Sequence, residues 1–294
     1  MESANTTKML DCDCNLYQMK QFIKNLLFDY VRPYIYGNTF LPAESNFQSW
    51  MCKLNPILGK RSDQPISFLD VEDENFICIN ESLKMKKLCP QHCECLSHYE
   101  QPGYYIKCES IGLEYFPKYI PVPDNGAKLV VSLAHNSIVS FPDCYDNGYE
   151  WLLNVTSLNI EDNPLSIKSK DDDNEYCKFD RLLRCLKHGG HLQQLFLAQT
   201  SIAYIPERIA KMGLRRVSLP NYQLQCDCNT KWLKGWLQEN EWRRQCSDNR
   251  TVIEGYEAIY CVATGKNPSH QGRIESFLST PCLNRKNREK IIDQ

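Results

Sequence analysis

The sequence predicts an α/β solenoid: a short parallel sheet with an irregular convex side, flanked by disulfide-stapled cysteine-rich caps. Three observations predict it. Four segments between residues 130 and 224 share one apolar frame. Sixteen cysteines fall mostly into spaced clusters. One Cys-Asp-Cys step into an amphipathic stretch stands at both edges, as CDCNLYQMKQFI from Cys12 and CDCNTKWLKGWL from Cys226. The 294 residues suffice for two or three ordinary domains. A net charge of −2 supplies no global field for nucleic acid or an anionic membrane. No apolar run reaches the roughly 18 residues that a membrane-spanning helix needs.

In chain order, residues 1–11 read as the end of a truncated repeat, because Leu10-Asp11-Cys12 matches Leu224-Gln225-Cys226. MESANTTKML lacks the apolar core of a signal peptide, so the chain reads as a segment of a longer one. Residues 12–78 form a first cap, in which LYQMKQFIKNLLFDYV (16–31) is the amphipathic helix and Cys12, Cys14, Cys52 and Cys78 are the cluster. A linker, 79–88, leads to a second cysteine-rich unit at 89–120, with Cys89, Cys93, Cys95 and Cys108.

Residues 121–225 carry the frame LxLxxNxL four times. It falls on Val131, Leu133, Asn136 and Ile138, then on Leu158, Ile160, Asn163 and Leu165. It recurs at Leu195, Leu197, Thr200 and Ile202, and at Val217, Leu219, Tyr222 and Leu224. This is the leucine-rich repeat pattern, a short strand and a turn that stack into a solenoid. Apolar residues two apart face one side of a strand and enter the shared core. Three residues on, the chain turns inward and strands backbone N–H and C=O groups. An asparagine side chain, with donors and an acceptor, can bridge them, as Asn136 and Asn163 are placed to do. Thr200 can do so in part, and Tyr222 cannot.

The middle repeat is long, with an insertion at 168–188 that turns from acidic to helical, KSKDDDNEYCKFDRLLRC. Insertions in solenoids belong to loops on one face. Residues 226–282 form the last cap, where Trp232, Leu233, Trp236 and Leu237 make an apolar stripe that can cover the final repeat. Residues 283–294, LNRKNREKIIDQ, are a largely basic tail.

Clustered cysteines point to a disulfide framework and an oxidising compartment. Glycosylation sequons at Asn5, Asn80, Asn154 and Asn249 agree with that. Other chemistry fits less well. CPQHCEC, with His92, has zinc-like spacing but needs reduced thiolates. HGGH (188–191) stands before a repeat strand, where its glycines suit a turn. Asp171, Asp172, Asp173 and Glu175 lack the interleaved glycine and spaced carboxylates of a calcium loop. No serine or cysteine lies in a recognisable nucleophile motif. The sequence implies no active site, no metal and no cofactor.

The order cap, cap, four repeats, cap resembles Toll receptors of the arthropod type, in which a short membrane-proximal repeat block follows a larger one. The resemblance spans residues 8–282. It implies Cys12–Cys52 and Cys14–Cys78 in a C-terminal-type cap, Cys89–Cys95 and Cys93–Cys108 in an N-terminal-type cap, and Cys226–Cys261 with Cys228–Cys282 in the last. Closing a loop of about 35 residues contributes roughly 3–4 kcal/mol in the chain-entropy picture. Four cysteines depart from the family pattern, namely Cys144, Cys177, Cys185 and Cys246. Cys177 and Cys185, eight apart, make the nearest pair, though a free thiol or a bond to another chain is also open.

By the same resemblance the chain is a non-catalytic, extracellular segment of a membrane-anchored signalling receptor in innate immunity or development. Its anchor would be a helix beyond residue 294. The ligand would be a Spätzle-type cystine-knot cytokine held mainly by upstream repeats, with this segment as a stalk and a contact within a receptor homodimer. The alternative is a secreted or surface adhesion or guidance protein of the Slit-like class, working through the concave repeat face. If the last cap depends on its staple, Cys228→Ser will lower both the thermal midpoint and the yield of secreted protein. Unchanged values for both would remove that dependence.

Overall fold

The structure, a computed structural model, describes residues 8–31, 50–53, 66–71, 73, 76–98, 102–167, 173–220, 224–225, 230, 232–233, 235–239, 252–254, 260–262 and 271–273. Its strands are β1 (Lys8–Asp11), β2 (Trp50–Lys53), β3 (Ile66–Ser67), β4 (Ile77–Ile79), β5 (Glu94–His98), β6 (Gly103–Lys107), β7 (Lys128–Ser132) and β8 (Ser157–Asn159). There follow β9 (Ser166–Ile167), β10 (Gln194–Phe196), β11 (Ser201–Ile202), β12 (Arg216–Ser218), β13 (Leu224–Gln225), β14 (Val252–Glu254), β15 (Tyr260–Val262) and β16 (Gln271–Arg273). Among the described residues the α-helices include α1 (Cys14–Val31), α2 (Glu81–Met85) and α3 (Asp173–Gly189), and residues 232–233 and 235–239 are also helical.

One sheet runs the length of the solenoid, in the order β14-β12-β10-β8-β7-β6-β5-β4. β6 to β14 are parallel, whereas β4 and β5 add antiparallel strands at the front. Register aligns Ile106, Val131, Leu158, Leu195, Val217 and Ile253 as one row of rungs. The strand period of two turns this row inward, with Leu133, Ile160, Leu197 and Leu219 beside it. All the predicted core aliphatics, Val131, Leu133, Leu158, Ile160, Leu195, Leu197, Val217 and Leu219, are no more than 1% exposed. Full burial of such a side chain contributes about 1.5–3 kcal/mol.

Two rungs lie outside the four predicted repeats. Ile106 begins a partial frame with Cys108, Ile111 and Leu113 within the cysteine-rich unit, and Ile253 extends the sheet inside the last cap. Each cap therefore continues the sheet it protects. Leu233 and Trp236 of the predicted stripe join the same core, and Trp232 packs beside Trp236 with the rings tilted at 43° and centroids 6.0 Å apart.

The convex side is built from 3-10 turns (Glu150–Leu153 and Glu207–Lys211) and from α3. Helix α3 buries Phe179, Leu182, Leu183 and Leu186 at helical spacing, and Phe179 stacks on Phe141 at 4.6 Å. HGGH ends this helix as a turn: Gly190 takes φ +72° and its N–H donates to the Lys187 carbonyl at 3.1 Å. His188 and His191 are both exposed.

The expected Cys177–Cys185 pair does not form. Cys185 bonds Cys144, and Cys177 is an exposed free thiol. Eight residues along a helix separate two positions by about 12 Å, beyond the reach of a disulfide. The pairing conflicts with the helical reading of the same segment, and the segment is a helix.

The two Cys-Asp-Cys units share one design. β1 pairs parallel with β2, which pairs antiparallel with β3; β13, β15 and β16 repeat that order. Leu10 faces Cys52 in the first, and Leu224 faces Cys261 in the second. The first unit has its own core, Cys12, Tyr17, Ile23, Cys52, Phe68, Val71 and Phe76.

Gly189 sits hard against the preceding repeat. A Cβ there would lie 1.8 Å from the Leu153 carbonyl oxygen. Gly189→Ala must push α3 off the 3-10 turn, and the expected loss is about 1–3 kcal/mol, the usual range for overpacking. A urea midpoint equal to that of the unaltered protein would contradict this close approach.

Candidate functional site

The inward rows leave alternate strand residues on the concave face. Lys107, Ser132, Asn159, Phe196, Ser218 and Glu254 form one row across six strands. Tyr105, Val130, Ser157, Gln194, Arg216 and Val252 form the next. The sequence carried this signal, since Ser132, Asn159, Phe196 and Ser218 each stand between the two apolar residues of a frame. Three of those four are small and polar.

These residues form hydrogen bonds within and between rungs. The Ser132 hydroxyl donates to Glu109 Oε1 at 2.5 Å, and that of Ser218 donates to Glu161 Oε1 at 2.7 Å. Ser218 Oγ also accepts from the Leu197 and Ala198 N–H groups, at 2.9 and 3.1 Å. Asn159 Oδ1 accepts from Glu161 N–H at 2.9 Å. Lys107 stands 4.0 Å from both Glu94 and Glu109, and Arg216 lies 5.6 Å over the Phe196 ring. At the front of the face Ile77, Leu96, Tyr105 and Val130 make an apolar cluster. The result is a row that is apolar at one end and hydrogen-bonded at the other, its Ser132, Asn159 and Ser218 buried and bonded within the protein.

The first cap meets this face through a polar junction. His98 Nε2–H donates to the Asp73 carbonyl at 2.8 Å, and Tyr17 packs edge-on against the His98 ring. Lys20, 1% exposed, donates to the Val71 carbonyl and pairs with the Asp73 carboxylate at 2.8 Å. Its ammonium also lies 5.1 Å over Phe76. Burial pulls the Lys20 pKa below its ordinary value, against the opposing hold of Asp73. For Asp73 burial pushes upward, but the hydrogen bonds and charge of Lys20, with Lys24 and Gln21, carry the carboxyl below its ordinary value.

Staples fix the front of the sheet. Cys89 bonds Cys95, Cys93 bonds Cys108, and Cys12 bonds Cys52. Their sulfurs are thus unavailable as thiolate ligands beside the exposed His92. Among the described residues no three His, Cys, Asp or Glu side chains gather as a metal site. Cys78 is disulfide-bonded, while its expected partner Cys14 lies outside the described side chains. Cys226, Cys228, Cys246 and Cys282 lie outside the described residues, as do Asn5, Asn249, Tyr222, Asp171 and Asp172. Asn80 caps α2, its Oδ1 accepting from Leu83 N–H at 3.0 Å. Asn154 follows the Glu150–Leu153 turn and is half-buried.

No family model matches the chain. Two curated relatives are both called Protein halfway. The one from Drosophila pseudoobscura pseudoobscura is 24% identical over 203 residues, 62% of this chain and 30% of its own length. The one from Drosophila melanogaster is 23% identical over 183 residues, 54% of this chain and 27% of its own length. The chain thus spans under a third of the curated relatives it matches. Among solved structures, two chains of the Toll–Spätzle complex, described as a hub in Drosophila development and innate immunity, superpose with TM-scores of 0.50. They are 20% and 19% identical, covering 91% and 95% of this chain and 29% and 30% of theirs. At that identity the likeness establishes the fold, a leucine-rich repeat solenoid with cysteine-rich caps.

The free and the bonded cysteine of α3 should separate cleanly. Cys177→Ser will leave stability within about 0.5 kcal/mol, as surface changes do, whereas Cys185→Ser will cost roughly 2–4 kcal/mol. Denaturation under non-reducing conditions with iodoacetamide should label Cys177 and spare Cys144. Labelling of Cys144 would disprove the bond.

Proposed function

We propose that the chain is a non-catalytic ectodomain segment of a Toll-type signalling receptor, placed on the extracellular side of the plasma membrane. The observation that carries this reading is the pair of Cys-Asp-Cys units built on one register, one before the front cap and one after the repeats. That order runs through a fold matched over 91% of the chain by the Toll–Spätzle complex. The shared register supports Cys226–Cys261 as the counterpart of Cys12–Cys52, and with it the division into cap (12–78), linker (79–88), cap (89–120), repeats (121–225), cap (226–282) and tail (283–294).

In this reading a Spätzle-type cytokine binds mainly to repeats upstream of residue 8. Ligand-bound receptors then meet as a homodimer, and a helix after the tail anchors each one. The segment acts as a stalk. Its mechanical requirement is that the two repeat blocks keep one relative pose, and the junction of Tyr17, Lys20, Asp73 and His98 supports that requirement. Proteins of this compartment carry sequon glycans, proposed here for Asn5, Asn80, Asn154 and Asn249. The adhesion alternative would instead need a partner on the concave face.

Calorimetry separates the two roles. The isolated segment should bind a Spätzle-type cystine-knot cytokine weakly or not at all, with Kd no tighter than about 10 μM, near −7 kcal/mol. Nanomolar binding by this segment alone would overturn the stalk reading.

A further inference from the structure

We propose that the exposed end of α3, together with the convex end of the following repeat, is a binding surface for a sulfated polysaccharide. The net charge of −2 conceals a local excess. From Lys178 to Arg216 the chain holds eight Lys and Arg against two acids, Asp180 and Glu207, a net of +6. Arg216 lies on the concave face over Phe196. Lys178, Arg181 and Lys211 are paired with Glu175, Asp143 and Glu207, so the surplus on the convex side rests on Arg184, Lys187, Arg208 and Arg215.

The fold gathers these cations from two successive repeats. On α3, Arg184 and Lys187 are exposed, and Arg184 is a turn before His188 on one ridge. Arg208, from the next repeat, shares the Asp180 carboxylate with Arg184, at 2.9 and 2.8 Å. One carboxylate therefore holds two guanidinium groups, leaving a charge in surplus. Arg215 N–H donates to the Gln193 carbonyl at 2.8 Å, which sets exposed Arg215 alongside the chain that leaves α3 through His191. Among the described residues no carboxylate pairs with Lys187 or Arg215. The surface pairs that do exist are the exposed kind that contribute little and exchange readily in water.

What the patch lacks decides its partner. The exposed large hydrophobics of the described residues are Phe22, Ile79, Met85, Leu88, Tyr115, Tyr119, Val122, Val139 and Tyr145. None lies between residues 173 and 220. A protein interface is built around a desolvated aromatic or aliphatic centre, and a single-stranded nucleic acid stacks its bases on aromatic rings. A membrane-surface helix needs an apolar face turned to lipid, whereas the apolar face of α3 is in the core. A hydrated polyanion needs none of these, only cations spaced along a rigid support. The disulfides put the chain in the oxidising setting where sulfated polysaccharides occur. This inference does not depend on the identity of any protein ligand.

The test is heparin octasaccharide binding by calorimetry and heparin-column elution, on protein secreted from eukaryotic cells. Expected is binding that weakens steeply as NaCl is raised. The triple variant Arg184→Gln/Lys187→Gln/Arg215→Gln should lose at least about tenfold in affinity, as expected when several surface cations are removed. Lys86→Gln/Lys87→Gln, an exposed basic pair in the linker before the front cap, should bind as the unaltered protein does. Circular dichroism and the thermal midpoint check folding, and Lys187→Gln alone gives a smaller loss in the same direction if the triple variant misfolds. Equal loss in the control pair, no binding in 150 mM salt, or tighter binding to a uridine oligonucleotide or phosphatidylserine vesicles than to heparin would each overturn the proposal.

Discussion

The solenoid depends on how each repeat satisfies its backbone where the chain turns from strand to core. At that corner the residue before the inward position takes a left-handed conformation: Ser110 (φ +55°), His135 (+57°), Asp162 (+50°) and Gln199 (+57°). Serine, histidine and aspartate are short polar residues, and the latter two are enriched at positive φ. The inward residue then meets the freed groups. Asn136 donates to the carbonyls of Cys108, Leu133 and Ala134 and accepts from the N–H groups of Ile111 and Leu113. Asn163 donates to Leu133, Ile160 and Glu161 and accepts from Ile138. Most of these bonds cross to the previous repeat, so each corner is complete only when its neighbour is in place. Stacked corners also bring His135 and Asp162 to 2.6 Å, a surface contact that follows from the geometry of the turn.

Ends are the second constraint, because a stack whose corners need neighbours has no natural terminus. At the front the chain reverses direction, and antiparallel β5 and β4 cover β6 while two disulfides fasten the reversal. At the back, β14 supplies a last parallel strand before the chain reaches the β15–β16 hairpin. The first cap resolves the same problem with the same strands, β1 to β3. It then takes on a further task by packing Tyr17 against His98 of the strand next to the front edge, while Lys20 holds Asp73, whose carbonyl accepts from His98. A buried lysine is a costly way to hold such a junction, since an ammonium loses its water there. Its geometry is correspondingly strict: a carbonyl, a carboxylate and an aromatic face share one charge.

Much of this was legible in the chain. Period-two apolar pairs with an asparagine three residues on fix strand, face and corner together, so the four rungs and the roles of Asn136 and Asn163 follow from spacing alone. Thr200 shows the limit of its type. Its hydroxyl reaches the Leu197 carbonyl of its own turn at 2.7 Å and extends no amide bridge. Ile106 and Ile253 were hidden because each lacks the full frame around it, Ile111 standing where the asparagine would be. The concave row was present but unread, since a serine between two apolar residues looks like solvent-facing filler until register places it beside Glu109 or Glu161. Cys177 and Cys185 are the nearest pair by spacing, yet both stand on one helix. The stripe of Phe179, Leu182, Leu183 and Leu186 in the same segment already indicated a helix, and a helix forbids that bond.

The same correction explains the long middle repeat. In a solenoid each repeat touches only its neighbours, so a block of four can open from either end one interface at a time. Helix α3 adds a coupling of longer range. It follows β8, yet Cys185 bonds Cys144 and Arg181 pairs with Asp143, both from the turn after β7. On its other side Asp180 holds Arg208, from the turn after β10. One rigid element thus ties three successive repeats, and loss of any one strains the attachments of the other two. Gly189 is where this arrangement is tightest, because the helix can reach both sides only by lying directly on the Leu153 backbone. The insertion, far from an irregularity tolerated on the convex side, couples repeats that would otherwise touch only their neighbours.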